Sequence, residues 1–190
     1  MDVSQYHQGL DTFLQSLQGS NPSILEIACG PGNLTKYLLQ KTENIRIHGI
    51  DLAPNMIELA KQNCPKASFE VLDCRHISKL HQKYEGVVAG FCLPYLDKYE
   101  ASTLLEGISN LLIPGGVLYL STIEGTYSSS GLKKGSTGDE IFQYYYSLSE
   151  IEGFLTKFRF KLIWKQRVSI ESNPHQDIDI ILIAEKQNGL

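Results

Sequence analysis

Three acidic residues stand at or near the ends of three successive apolar segments. Glu26 lies inside the first of these segments, Asp51 directly follows the second, and Asp73 directly follows the third. If the segments are neighbouring parallel strands, all three carboxylates reach the same edge of one sheet. Carboxylates placed there can accept hydrogen bonds from the hydroxyl and amino groups of a nucleoside. The spacing therefore predicts a nucleoside-binding edge.

A glycine-containing loop, Gly30-Pro31-Gly32, follows the segment that carries Glu26. Glycine has no Cβ atom, so a ligand can lie close to this loop, and a helix capped by Asn33 would present free N–H groups to it. By itself a Gly-x-Gly loop is a weak signal, because it can equally be a structural turn. The acid at Asp51, about twenty residues further on, favours ribose binding.

Strand-like and helix-like segments alternate along the chain, which is typical of a parallel α/β sheet. The pattern predicts strands over 23–28, 45–50, 68–72, 85–91 and 117–122, and a closing hairpin of 159–169 and 177–185 that turns at Asn173-Pro174. Helices are predicted over 6–17, 33–40, 54–62, 98–112 and 147–158. The predicted fold class is α/β: a doubly wound, seven-stranded, mostly parallel sheet with one antiparallel strand and helices on both faces.

The domain organisation follows from the same pattern. Residues 1–190 are predicted to form a single domain, because no repeat or long linker divides them. Within it, 1–20 form an N-terminal helical segment, and 123–146 form a loop or lid on the substrate side. A Gly/Ser-rich stretch of that length is too long for an ordinary connection.

Composition excludes several classes of function. The 190 residues are 42% hydrophobic and 20% charged, and 17 basic against 21 acidic residues give a formal net charge of −4. This acidic balance disfavours binding to nucleic acid, which needs basic side chains facing phosphates. No apolar run approaches the roughly 18–20 residues of a membrane span, and residues 1–19 lack the pattern of a signal peptide. We expect a cytoplasmic protein with neither a nucleic-acid nor a membrane partner.

The four cysteines contain no C-x-x-C pair and no metal-ligand spacing. We therefore expect reduced thiols and no metal site, at Cys29, Cys64, Cys74 and Cys92. The oligomeric state stays open.

Four motifs make a family resemblance plain. Residues 24–35 (Ile-Leu-Glu-Ile-Ala-Cys-Gly-Pro-Gly-Asn-Leu-Thr) resemble the first motif of class I S-adenosylmethionine-dependent methyltransferases. Residues 49–56, 70–74 and 111–118 resemble three later motifs, in the family's order, and the set spans most of 23–122. The resemblance implies a Rossmann-like methyltransferase fold and S-adenosyl-L-methionine as cofactor. The subgroup that it suggests is the small-molecule, quinone-biosynthesis-like type.

The resemblance also implies a role for each matching residue. The methionine end of the cofactor would lie against the first loop, at Glu26, Ala28, Cys29, Gly30, Gly32 and Asn33. The ribose and adenine would be held by residues after the second and third strands, at Asp51, Leu52, Met56, Asp73 and Cys74. Phe91 and Cys92 would flank the sulfonium.

Two positions leave alternatives open. Ala28 replaces the glycine that usually comes first in the loop, and its methyl group is tolerable if its φ angle is negative. Tyr6 either closes over the methionine end of the cofactor or has a plain packing role.

The acceptor half of the site carries no clear motif. Methyl transfer from a sulfonium depends mainly on alignment, and a general base is needed only for a weakly acidic acceptor. The candidates for such a base are Tyr95, Glu124, Tyr127 and Asp139. The run 144–146, three tyrosines, either walls the acceptor pocket or buries its rings in the core.

Three functions other than methylation of a small-molecule acceptor can be weighed against the same residues. A non-catalytic protein that binds the same cofactor stays possible, because the acceptor half is unmarked. A nicotinamide-dependent oxidoreductase is disfavoured, since Thr35 stands where that fingerprint has Gly or Ala. Methylation of nucleic-acid bases is also disfavoured, since Cys92-Leu-Pro-Tyr95 lacks the polar residue and first proline of those enzymes.

Overall fold

The computed structural model describes residues 3–134, 140–170 and 177–188. Within these ranges a seven-stranded sheet has the order β3-β2-β1-β4-β5-β9-β8, and β6 and β7 form a separate hairpin. The strands are β1 Ser23–Ile27, β2 Arg46–Asp51, β3 Ser68–Val71, β4 Tyr84–Gly90, β5 Leu112–Glu124, β6 Gly131–Lys134, β7 Glu140–Gln143, β8 Phe160–Ile170 and β9 Asp177–Lys186.

The sheet confirms the predicted fold class. Strands β1 to β5 pair in parallel, and β9 runs antiparallel between β5 and β8. The strand order reverses at β1, which lies between β2 and β4. In open α/β sheets this reversal is where the carboxyl ends of the strands leave a crevice for a ligand. The predicted turn at Asn173-Pro174 lies outside the described residues.

Five helices cover the sheet: α1 His7–Ser16, α2 Asn33–Lys41, α3 Pro54–Asn63, α4 Lys98–Leu111 and α5 Leu148–Lys157. Local sequence explains where several of them begin. Pro54 opens α3, where its missing N–H costs nothing. Capping boxes start α4 and α5, formed by Asp97 with Glu100 and by Ser147 with Glu150.

Two apolar layers hold the helices against the sheet. On one face, Leu25 and Ile27 of β1 belong to the same buried cluster as residues of α4 and α5. On the other face, Ile24 packs in a cluster with Leu10 of α1 and Leu38 of α2. Because both faces of the central strands are covered, every residue of β1 is buried, Glu26 included.

Two sequence predictions about element boundaries were wrong. Strand β5 begins at Leu112 rather than at Val117, because Leu112 pairs with Tyr84 and residues 113–116 form an irregular step in the ladder. It also continues to Glu124, paired along its length with β9. Most of the predicted loop over 123–146 is therefore structured: its described part contains the end of β5 and the hairpin β6–β7.

In the ranges that the structure describes, no helix has both the length and the apolar character needed to cross a membrane.

Gly86 of β4 tests how closely helix α1 packs on the sheet. A Cβ atom at Gly86 would lie 2.6 Å from the Phe13 ring and 2.8 Å from Leu17. We expect Gly86→Ala to lower the free energy of unfolding by about 1–3 kcal/mol through overpacking, measured by urea denaturation. The matched control is Gly153→Ala on α5, where an added Cβ meets nothing within 4 Å. That change should instead stabilise the helix by about 0.5–1 kcal/mol. Equal effects at both sites would contradict the packing argument.

Candidate active site at the carboxyl edge of the sheet

The loop after β1 turns sharply at a residue other than glycine. Ala28 has a φ of +55°, as does Gly30 nearby at +53°, and Gly32 has +84°. The sequence predicts that Ala28 is tolerated if its φ angle is negative, and the observed φ angle is positive. This left-handed turn lets the Cys29 N–H donate to the Ile50 carbonyl at 3.0 Å, which carries the β1–β2 ladder into the loop. The alanine methyl group makes the turn mildly strained.

Gly32, not Asn33, occupies the cap position of helix α2. Its positive φ begins the helix, and Asn33 is the first helical residue. The expected capping hydrogen bond from the Asn33 side chain is replaced by this glycine turn. Asn33 instead lines the cavity described below.

Asp51 ties the first two loops together. One carboxylate oxygen accepts from the Gly30 N–H at 2.8 Å, and the other accepts from the Ala53 N–H at 2.9 Å. Each oxygen retains a lone pair that can accept a further hydrogen bond. The carboxylate is thus fixed in orientation while still able to bind a ligand's hydroxyl groups.

Glu26 lies in the interior beside this loop, with 1% of its surface exposed. The hydroxyl of Thr35 on α2 donates to its carboxylate. Burial raises the pKa of Glu26 to about 7, and the Asp51 charge adds to the rise, while the Thr35 hydrogen bonds oppose it. Glu26 therefore changes between an acid and a carboxylate close to neutral pH.

Asp73 has a partner that sequence analysis missed. Its carboxylate accepts from the Arg75 guanidinium at 2.6 Å and from the Arg75 backbone N–H at 2.9 Å. The Arg75 hydrogen bonds hold the pKa of Asp73 below its usual value. Arg75 also lies 3.4 Å from Glu100. No motif spacing marks Arg75, since its role depends on the 3₁₀ turn that follows β3.

Two adjoining cavities open at this edge of the sheet. A cavity of about 430 Å³ is lined by Asp51, Leu52, Asp73, Cys74 and Cys92, among others. A second cavity, of about 410 Å³, is lined by Glu26, Cys29, Gly30, Asn33, Met56 and Phe91, among others. Both contain Ala28, Asp51 and Tyr95. The three acids predicted to share an edge therefore line one continuous cleft.

Tyr6 lies over the second cavity and is also packed. It is buried, its ring meets Phe91 edge-on with centroids 5.2 Å apart, and its hydroxyl donates to Asp179 of β9 at 2.7 Å. Burial raises the pKa of Asp179, and the Tyr6 hydrogen bond partly offsets this. Tyr6 therefore has the packing role, and its closure over the methionine end of the cofactor stays a prediction. Asp179 was not found by sequence analysis, because it lies 173 positions away.

The hairpin β6–β7 supplies an apolar wall to the first cavity. Ile141 and Phe142 of β7 line it, together with Leu96 and Tyr95. The Tyr144 N–H donates to the Pro94 carbonyl at 2.8 Å, so the end of the hairpin is attached to the segment that carries Tyr95. Sequence analysis identified this region as a substrate-side segment but did not single out Ile141 or Phe142.

Of the three base candidates that the structure describes, Tyr95 lines the cleft and Glu124 and Tyr127 do not. Glu124 is displaced from it because β5 is longer than predicted, and both its oxygens accept from Arg167, at 2.6 and 2.8 Å. Tyr127 stacks near Tyr144 under the Lys98 ammonium group and lines neither cavity. Asp139 lies outside the described residues.

The tyrosine run is divided between environments. Tyr146 is fully buried and donates to the Leu96 carbonyl, so it belongs to the core. Tyr145 is also buried, whereas Tyr144 is partly exposed and meets the Phe142 ring at 4.7 Å. Tyr144 contacts the wall residue Phe142, and none of the three tyrosines lines either cavity.

Comparison with known proteins agrees with this geometry. Residues 24–116 match the family described as "Methyltransferase domain". A malonyl-acyl-carrier-protein O-methyltransferase of Acetivibrio thermocellus is 36% identical over 109 residues, which cover 54% of this chain and 36% of the relative. The chain spans under half the length of the first curated relatives that it matches.

Solved structures agree with the fold over nearly the whole chain. An S-adenosylmethionine-dependent methyltransferase from Methanosarcina mazei has a TM-score of 0.79 at 20% identity, covering 93% of this chain and 97% of its own. The 1,6-didemethyltoxoflavin-N1-methyltransferase of Burkholderia thailandensis, with its bound substrate and S-adenosylhomocysteine, has a TM-score of 0.73 at 20% identity, covering 98% and 80%.

The fold is thus that of the class I methyltransferases. Residues 24–116 match the methyltransferase-domain family, as the four motifs predicted. The narrower quinone-biosynthesis-like subgroup stays a prediction.

The pKa of Glu26 predicts how stability depends on pH. Because the folded pKa of about 7 lies above the ordinary value of 4.5, folding favours the protonated acid. Its destabilising effect is absent below pH 4.5, grows between pH 4.5 and pH 7, and is constant at higher pH. We expect Glu26→Gln to gain stability relative to the unmodified protein between pH 5 and pH 8, in urea denaturation series. A difference that stays constant across that range would show that Glu26 is an ordinary carboxylate.

The hydrogen bond between Tyr6 and Asp179 gives a second test. Tyr6→Phe keeps the ring but removes the donor to a buried carboxylate, so we expect a loss of about 1–3 kcal/mol in the free energy of unfolding at pH 7. The loss should shrink as the pH falls and Asp179 becomes protonated, because burial raises the pKa of that carboxyl above its ordinary value. Tyr99→Phe, at a ring that is 80% exposed, should change stability by no more than about 0.5 kcal/mol. A loss equal to that of the control would exclude a structural role for the Tyr6 hydroxyl.

Proposed function

We propose that the protein is an enzyme that transfers a methyl group from S-adenosyl-L-methionine to a small-molecule acceptor. The observation that carries this proposal is the single cleft lined by Glu26, Asp51 and Asp73 at the point where the strand order reverses. The family match supports the same conclusion.

The two cavities suit the two ends of this cofactor. Asp51 would accept from the ribose hydroxyls, and the part of the first cavity lined by Leu52, Asp73 and Cys74 would take the adenine. The second cavity would take the methionine end, where Glu26 as a carboxylate suits an ammonium group. When bound, the cofactor supplies an activated methyl group on a sulfonium, so the protein need not create a leaving group.

Tyr95 lies where the two cavities meet. Because Ala28, Asp51 and Tyr95 line both, the link between the nucleoside and the methionine must pass them. We infer that Tyr95, which is 60% exposed, stands beside the transferred methyl group and orients the acceptor. Alignment and exclusion of water then supply most of the lowering of the barrier. The acceptor proton leaves to solvent if the acceptor is a hydroxyl or amine.

Ligand-induced stabilisation tests cofactor binding. At a hundred times its dissociation constant, S-adenosylhomocysteine should add about 2.7 kcal/mol, which raises the melting temperature by roughly 5–10 °C for a chain of this size. NAD at the same concentration should give no shift. The opposite pattern would make the protein an oxidoreductase rather than a methyltransferase.

Asp51→Asn makes the test specific for the cleft, because it removes the charge that would face the ribose. The variant should lose most of the S-adenosylhomocysteine shift, whereas Glu58→Gln on the exposed side of α3 should keep it. If Asp51→Asn bound as well as the control, the nucleoside would have to lie elsewhere.

A further inference from the structure

The wall of the cleft that faces an incoming acceptor is apolar and aromatic. Tyr95, Leu96, Ile141 and Phe142 contribute to it from two separate segments. Ile141 and Phe142 remain 41% and 45% exposed although they are large apolar side chains. Exposed apolar side chains that converge on a cavity favour a ligand with an apolar surface of its own.

The charge of the cleft is the second observation. Among the described residues that line the two cavities, the acids are Glu26, Asp51 and Asp73, and Arg75 is the single cation. Arg75 is not free for a ligand, because Asp73 binds it at 2.6 Å and Glu100 lies 3.4 Å away. The cleft therefore offers an anionic acceptor no unpaired positive charge.

Nearby cations are used in other ways. Lys98 pairs with Glu150 at 2.6 Å and lies over the Tyr127 ring, outside both cavities. Lys133 and Lys134 of β6 are exposed and line neither cavity, and Lys133 lies over the Tyr145 ring. The residues outside the described ranges contain no Lys or Arg in the sequence. A carboxylate or phosphate bound in this partly enclosed cleft would be desolvated without a charged partner from the protein's own side chains, which is costly.

We propose that the acceptor is an uncharged molecule with an aromatic or similarly flat apolar ring, held between Tyr95 and the Ile141–Phe142 face of the hairpin. This inference rests on the proposed function and narrows its substrate class. The ring would stack on Phe142 and Tyr95, and its nucleophilic oxygen, nitrogen or carbon would face the junction of the two cavities. Transfer forms one bond from that atom to the methyl carbon, breaks the carbon–sulfur bond, and releases the acceptor proton to solvent.

A matched pair of probes tests the charge preference. 2-Naphthol and 2-naphthoate share one ring system, but only the second is charged at pH 7. Binding of each is measured by calorimetry to the protein saturated with S-adenosylhomocysteine. We expect 2-naphthol to bind at least about tenfold more tightly than 2-naphthoate, because the anion gains no partner. Equal or tighter binding of 2-naphthoate, or no binding of either probe, would overturn the proposal.

Two isoleucines of equal exposure locate the binding surface. Ile141→Ala on the hairpin should weaken 2-naphthol binding about three- to tenfold through lost apolar contact. Ile163→Ala on β8, where the side chain is likewise 41% exposed but lines neither cavity, should leave it unchanged. Equal effects of the two changes would place the ring elsewhere.

A third variant supplies the missing charge. Ile141→Arg places an unpaired cation on the wall, so the preference should shift toward 2-naphthoate by about tenfold or more. An unchanged preference would mean that charge at this wall does not select the acceptor. Saturation with S-adenosylhomocysteine is measured first in every variant, so loss of cofactor binding is distinguished from loss of acceptor binding.

Discussion

The carboxylate of Asp51 is the interaction on which the site depends. It accepts one backbone N–H from the loop after β1 and another from the loop after β2. Both loops leave the sheet at the carboxyl ends of the neighbouring strands β1 and β2, and the Asn63 side chain of α3 also donates to the Pro31 carbonyl at 2.9 Å. Without this carboxylate, the Gly30 N–H, which lies two residues after the left-handed turn at Ala28, would lose its hydrogen-bond acceptor. The same group that shapes the loop is therefore the one placed to bind a ribose.

Burial makes the charge of Glu26 costly for the folded protein. Its position inside a strand that is covered on both faces removes water from the carboxyl group, and only Thr35 hydrogen bonds compensate for the loss. A fully ionised acid there would be destabilising in the absence of a cation. This arrangement suits a site that receives a positively charged ligand group, since the ligand then supplies what the fold leaves out. Stability of the empty protein and affinity for the ligand thus oppose each other at this residue.

The proposed acceptor wall is assembled from distant parts of the chain. Tyr95 follows β4, and the hairpin residues Ile141 and Phe142 come after β5. Their apolar character and the pairing of Arg75 with Asp73 give this side of the cleft its chemistry. The strands of the seven-stranded sheet do not carry this wall, which lies on the segment after β4 and on the hairpin β6–β7.

The sequence by itself determined the fold class and the order of the acids along the chain. Alternation of apolar segments with helical spacing specifies a parallel sheet, and acids at strand ends must then share an edge, so Glu26, Asp51 and Asp73 could be placed before any coordinates. Only the tertiary structure decided the partners of those acids and the acceptor wall. The Arg75 guanidinium donates to Asp73 within a local turn, and the Tyr6 hydroxyl donates to Asp179, which is distant in sequence. The Glu124 carboxylate accepts from Arg167. Such contacts depend on side-chain directions and on strand register, and the hydrophobic periodicity of the sequence does not specify these contacts.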